Sequence, residues 1–153
     1  MSPRNRATRS CRTGADPVHT LSRQIGWLSA SGSDYEIAVP LHELTALAQG
    51  KGYYEGVDRD TRRARVEQMA EQCDRLYPSL RLFLFDARRV FSSPITVFGP
   101  LIGVIYVGNC YLAFRESARV KTLTQHFDWL VREADVDARD AAKHIQSLAE
   151  RVD

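Results

Sequence analysis

The chain has few cysteines, and none of them form a recognisable pair. Cys11, Cys73 and Cys110 lie far apart, and no CxxC motif is present. An odd, scattered set is atypical both of a disulfide framework and of a zinc site built from paired cysteines. The four histidines also lack the spacing of metal ligands. We therefore expect no metal, no cofactor and a reducing compartment, which favours the cytoplasm.

Long apolar runs are missing as well. The longest covers residues 94–107 and is interrupted by Gly99-Pro100 and by Gly103. It falls short of the roughly 20 apolar residues that a membrane-spanning helix needs. The arginines near the start are not followed by the apolar stretch of a secretory signal. We expect no contact with a membrane.

The common catalytic motifs are absent too. The sequence contains no GxSxG, HExxH, GxGxxG or GxxxxGK[ST], so it lacks the familiar nucleophile elbow, zinc helix and phosphate-binding loops. Cys73 lies on the apolar face of a predicted helix, which is typical of a core thiol rather than a reactive one. These absences favour a protein without catalytic activity, although they leave the question open.

Acidic residues are scarce at the start of the chain. Residues 1–24 contain five arginines and one acid, although the net charge of the whole chain is only +2. We predict a basic, disordered segment at 1–34, followed by one domain at 35–153. Nucleic acid is a weakly indicated partner, and the residues that would contact it are Arg4, Arg6, Arg9 and Arg12.

The rest of the chain shows regular apolar patterns. Alternation and β-branched residues predict strands at 35–39, 80–85, 95–98, 102–107 and 111–114. Helical spacing predicts helices at 41–50, 58–77, 120–134 and 138–152. The connections between the last three strands are too short for parallel crossovers. The order predicts an α+β fold, with a small antiparallel sheet of four to five strands packed with three to four helices.

The predicted helix at 58–77 contains four arginines, at positions 59, 62, 63 and 65, and such a row could follow a nucleic-acid backbone. Acids interrupt this row, and no aromatic residues accompany it. We therefore interpret this helix face as a solvated surface. His126, next to the apolar stripe of the helix at 120–134, is predicted to be half-buried with a backbone partner.

The most distinctive loop covers residues 86–94 and joins two predicted strands. Asp86, Arg88 and Arg89 could bind an anionic small molecule, because arginine offers a planar donor fork to carboxylate or phosphate. In the alternative interpretation, these residues pair with one another and close a surface bend. Tyr106 and Tyr111 flank the Gly108-Asn109 turn, where they could line a ligand pocket or simply pack as core aromatics.

Several segments between about residue 62 and residue 152 share an order with a known family. They are 68–73, 80–85, 95–98 and 104–107, then 126–130 with its Phe-Asp pair, and a last helix at 141–152. This region resembles the effector domain that follows the DNA-binding head in bacterial regulators of the Cro/CI helix-turn-helix class. The resemblance implies a non-catalytic ligand-sensing or dimerisation domain, with a small-molecule effector, a homodimer and an indirect link to DNA.

The helix-turn-helix head of that class is not evident. Residues 1–57 do not show its helical pattern, so the chain is expected to be a truncated or divergent copy, or a stand-alone sensor. The alternative function is a small enzyme or toxin-like protein. It would act on a phosphorylated or nucleic-acid substrate through Asp86, Arg88 and Arg89.

Overall fold

A computed structural model describes residues 8–11, 34–107 and 110–152. Within the predicted disordered segment, residues 8–11 form a strand, and Arg9 is one of them. Arg4, Arg6 and Arg12 lie outside the described residues, as does the Gly108-Asn109 turn.

Strands and helices are mixed along the chain, and the predicted α+β class is confirmed. The strands are β1 (Thr8–Cys11), β2 (Tyr35–Pro40), β3 (Leu80–Phe85), β4 (Ile95–Phe98), β5 (Ile102–Val107) and β6 (Cys110–Phe114). The helices are α1 (Leu41–Gln49), α2 (Arg59–Leu76), α3 (Ser117–Arg132) and α4 (Ala141–Ala149), with one 3-10 turn at Gly52–Tyr54.

The strands form one sheet in the order β1-β6-β5-β4-β2-β3. The neighbours β4, β5 and β6 pair antiparallel, in agreement with the short connections between them. The sheet is nevertheless mixed, because β2 and β3 run parallel, with Tyr35 opposite Leu80 and Pro40 opposite Phe85. The connection between these two strands contains α1 and α2, and it is long enough for a parallel crossover.

Alternating side chains on β3 supply two hydrophobic clusters. Leu80, Leu82 and Leu84 point to one face and pack in a cluster with residues of α1, α2 and α4. Phe83 and Phe85 point to the other face and pack in a cluster with residues of α3. Because successive side chains of a strand alternate between faces, the sheet is covered by helices on both sides in this region.

Local sequence features determine where α2 begins and where α1 ends. Asp58 caps α2, because its carboxylate accepts the backbone N–H of Thr61 at 2.9 Å and the hydroxyl of Thr61 at 2.6 Å. These two hydrogen bonds lower the pKa of Asp58. At the end of α1, Gly50 has a φ of 61°, the left-handed conformation that glycine adopts readily at a helix end.

The segment after α3 covers the outer edge of β3. The N–H of Leu84 donates to Val136 O at 3.1 Å, and the N–H of Asp135 donates to Leu84 O at 2.9 Å. These bonds place the Asp135 side chain at the end of β3, where the loop of residues 86–94 begins. Among the described residues, no helix is both long and apolar enough to cross a membrane.

Candidate functional site

The loop of residues 86–94 starts as a tight turn. The Asp86 carboxylate accepts the backbone N–H of Arg88 at 2.9 Å. The Asp86 carbonyl accepts the N–H groups of Arg89 and Val90 at 3.0 and 2.9 Å. The Val90 side chain is buried with the aromatic residues under α3. The first half of the loop is therefore held against the sheet.

The charged residues of the loop are paired within the chain. The Arg88 guanidinium donates to both oxygens of Asp86, with Nε at 3.0 Å from Oδ1 and Nη2 at 2.7 Å from Oδ2. Arg89 donates to Asp135 Oδ1 at 2.5 Å. The second oxygen of Asp135 accepts the backbone N–H of Asp86 at 2.8 Å. Asp135 thus joins the loop to the segment after α3.

These contacts stabilise the charged forms of the groups. The hydrogen bonds from Arg88 lower the pKa of Asp86 to about 2. Asp135 raises the pKa of Arg89 by accepting its hydrogen bond. This arrangement agrees with the alternative interpretation of the loop, in which the charged residues pair with one another and close a surface bend. An anionic ligand would have to share the guanidinium groups with Asp86 and Asp135 or displace these carboxylates.

The second half of the loop is attached to α3. Ser92 Oγ lies 2.9 Å from His126 Nε2, and it also donates to Ser93 O at 2.9 Å. The His126 ring lies against Trp129, with ring centroids 5.5 Å apart. His126 is half-buried, as expected, but this partner is a serine side chain rather than the predicted backbone group. Both halves of the loop are therefore held by the rest of the fold.

Exposed apolar side chains occur on the loop, on α3 and on β5, whose Tyr106 N–H donates to Pro94 O at 3.1 Å. Phe91 is 93% exposed, Val107 at the end of β5 is 55% exposed, and Trp129 is 38% exposed. No sequence pattern predicted these three residues as a group, although a phenylalanine between arginines and serines was a visible signal.

The two tyrosines of the predicted ligand site form a separate pair. Tyr106 on β5 lies opposite Tyr111 on β6, with ring centroids 6.5 Å apart. The neighbouring residue Ile105 packs with the cluster under α3, so the tyrosines point to the other face. The predicted ligand residues therefore fall into two groups, the charged loop and the tyrosine pair.

Cys73 and Cys110 differ in oxidation state. Cys73 is free and buried, and burial raises the pKa of its thiol to about 12. Cys110 is disulfide-bonded, although the odd, scattered set of cysteines is atypical of a disulfide framework. The antiparallel register of β1 and β6 places Cys11 opposite Cys110, a proximity that sequence spacing cannot reveal.

Among the described residues, no group of three or more His, Cys, Asp or Glu side chains could hold a metal ion.

Comparisons with family models, curated proteins and solved structures give no match to this chain. The resemblance to the Cro/CI class therefore rests on the order of the sequence segments alone.

Proposed function

We propose that this chain is a non-catalytic ligand-sensing or dimerisation domain of a bacterial transcriptional regulator, and that it acts in the cytoplasm. The observation that carries the proposal is the exposure of Phe91 on a loop that is held at both ends. Aromatic anchors of this kind are typical of binding surfaces, because an ordered loop loses little conformational entropy on contact.

The electrostatics of the loop support a role in binding rather than in chemistry. Each of its two arginines donates to a carboxylate of the same chain. A catalytic site for an anionic substrate usually presents donors aimed at the position of the developing charge. Here, the hydrogen bonds instead fix the shape of the loop.

The resemblance to the effector region of Cro/CI-type regulators supports a link to transcription. Under this proposal, the effector is a small molecule or a second subunit. Disulfides are uncommon in bacterial cytoplasm and usually have redox roles there. The proposed location therefore predicts that the Cys110 disulfide is reduced in freshly lysed cells protected from oxidation by alkylation.

Two measurements on the full chain test the proposal together. Sedimentation velocity over a wide concentration range should detect self-association, or thermal-shift screening against metabolites should detect a stabilising compound. A ligand at a hundred times its dissociation constant adds about 2.7 kcal/mol to the free energy of unfolding. A strict monomer that no compound stabilises would contradict both forms of the proposed function.

A second candidate function is a small enzyme or toxin-like protein that acts on a phosphorylated or nucleic-acid substrate. The observation in its favour is the exposure of the Arg88 side chain, which is 89% exposed beside the pair formed by Arg89 and Asp135. A phosphate could replace one of the acids on a guanidinium. Phosphatase and nuclease assays should then show turnover that Arg88→Ala abolishes and that Arg75→Ala, on α2, leaves unchanged. Absence of turnover, or equal loss in both variants, would reject this candidate.

A further inference from the structure

Cys110 is the first residue of β6, the strand that pairs with β1 at one edge of the sheet. Cys110 is disulfide-bonded, whereas Cys73 is free and buried. The sequence contains one further cysteine, Cys11, which is the last residue of β1. The register of β1 and β6 places Cys11 directly opposite Cys110. Elimination and register therefore indicate the same partner for Cys110 within the chain.

Strand β1 is attached to the sheet along one side. It is four residues long, and among the described strands it pairs with β6 alone. A strand pairing this short is marginal and opens readily unless another contact holds it. A cross-link from the last residue of β1 to the first residue of β6 supplies such a contact. It also closes a loop that contains β2 to β5, so it removes many open arrangements of the chain.

The surroundings of Cys110 and Cys73 give the two residues different reactivity. Cys110 is half-buried and lies outside both hydrophobic clusters, so small thiols can approach it. Cys73 is buried in the cluster with α1, α2 and α4, and burial raises the pKa of its thiol to about 12. A protonated and inaccessible thiol does not attack a disulfide. Thiol–disulfide exchange in the folded chain is therefore confined to the Cys110 disulfide.

We propose that Cys11 and Cys110 form a redox switch, which fastens β1 to the sheet when oxidised and releases it when reduced. Two molecules of a small thiol such as glutathione carry out the reduction. The first thiolate attacks one sulfur of the disulfide, forms a mixed disulfide and expels the other cysteine as a thiolate. The second thiolate attacks the mixed disulfide and expels the remaining cysteine. The protein gains two electrons and two protons as two thiols, the small thiol becomes its disulfide, and oxidation is the reverse exchange.

Release of β1 changes the edge that the sheet presents. The backbone N–H and C=O groups of β6 that face β1 lose their partners, and β6 becomes the edge strand. Arg9, one of the arginines predicted to contact nucleic acid, lies on β1 and leaves the sheet with it. The use of the switch in a cell rests on the proposed cytoplasmic location, where glutathione keeps thiols reduced. In that compartment, the released state is the resting state and oxidation fastens β1.

Peptide mapping and hydrogen exchange of the full chain, equilibrated with reduced or oxidised glutathione, test the switch. In oxidised glutathione, digestion without reductant should yield a peptide containing Cys11 joined to one containing Cys110. In reduced glutathione, the amides of residues 8–11 should exchange about tenfold faster or more, while those of residues 80–85 in β3 stay protected. Cys11→Ser and Cys110→Ser should exchange at the fast rate in both buffers. Cys73→Ala is the matched control and should keep the redox dependence.

Three results would overturn the switch. Cys110 joined to Cys73 or to a second molecule contradicts the assignment of Cys11. Equal protection of residues 8–11 in both buffers shows that strand pairing alone holds β1. A disulfide that reduced glutathione opens only after the chain unfolds cannot act as a switch.

These results leave the self-association and thermal-shift measurements unaffected, so the switch and the proposed function can fail separately. Circular dichroism melting of each variant establishes that the fold is intact. If Cys73→Ala does not fold, the protection of β3 in the wild-type chain remains the control.

Discussion

At the scale of single residues, the burial of Arg62 is a clear difference from the sequence prediction. The sequence placed it on a solvated helix face, but it is buried in the structure. Its Nε donates to Val57 O at 3.0 Å and its Nη1 donates to Ala48 O at 2.5 Å. A buried guanidinium is tolerated because these carbonyl groups accept its hydrogen bonds. It also fills the space beside Gly50.

Gly50 and Gly52 offer a matched pair of substitutions. Both have a positive φ, so an alanine at either position costs about 1–2 kcal/mol of backbone strain. An added Cβ at Gly50 would also lie 2.9 Å from Arg62 Cζ, whereas at Gly52 it would meet no atom within 4 Å. We expect Gly50→Ala to be more destabilising than Gly52→Ala by about 1 kcal/mol or more in urea unfolding. Equal losses would show that Arg62 moves aside freely.

The Cys73 thiol should be chemically inert in the folded protein. Its pKa of about 12 keeps it protonated at pH 8.5, and burial blocks access to it. We expect iodoacetamide to modify Cys73 at pH 8.5 only when denaturant is present, as measured by peptide mass spectrometry. Rapid modification in buffer alone would contradict its burial.

At the scale of elements, the packing of α3 on the sheet depends on a glycine in β5. A Cβ added at Gly103 would lie 2.6 Å from Leu123 Cδ1 on α3. Its φ is not in the left-handed region, so the cost of a side chain there is steric rather than conformational. Because Gly103 has no side chain, α3 can lie close to β5. Helix α3 contains His126, which contacts Ser92 of the loop, and Trp129, which lies against His126.

The contact between Gly103 and Leu123 predicts a compensating pair of substitutions. Gly103→Ala should lower the free energy of unfolding by about 1–3 kcal/mol, because it overpacks the interface with α3. In a Leu123→Ala background, the same substitution should cost markedly less, since the clashing methyl group is gone. A double-mutant cycle should show coupling of about 0.5–3 kcal/mol. Additive losses would mean that Leu123 does not limit the packing.

At the scale of the whole molecule, the two hydrophobic clusters share one sheet. Strand β3 contributes leucines to the cluster with α1, α2 and α4, and phenylalanines to the cluster with α3. Neither face can lose its helices without exposing side chains of a strand that also supports the other face. We therefore expect the two clusters to unfold together.

Thermal unfolding should show this coupling directly. Phe127→Ala under α3 should cost about 3–5 kcal/mol, and Ile145→Ala in α4 about 2–5 kcal/mol. Each variant should still melt in a single transition when followed by far-ultraviolet and near-ultraviolet circular dichroism. Separate transitions in the two signals would show that the clusters unfold independently.

The sequence predicted most elements of the body because their signals are local. Apolar spacing located α2 and α3, and short connections predicted the antiparallel order of β4, β5 and β6. The composition of the loop at 86–94 identified Asp86, Arg88 and Arg89 as a group. These features depend on residues close together in the chain, so periodicity and turn chemistry were sufficient to find them.

Only the tertiary structure decided which distant residues meet. Asp135 is 49 residues from Asp86, and His126 is 34 residues from Ser92, so no local pattern predicts either contact. The parallel pairing of β2 with β3 likewise depends on where the connecting helices pack. The charge of Arg62 predicted a solvent-exposed side chain. The side chain is instead buried, because the carbonyl groups of Val57 and Ala48 accept its hydrogen bonds. Such outcomes follow from the whole topology, because each requires two parts of the chain to be placed before they can interact.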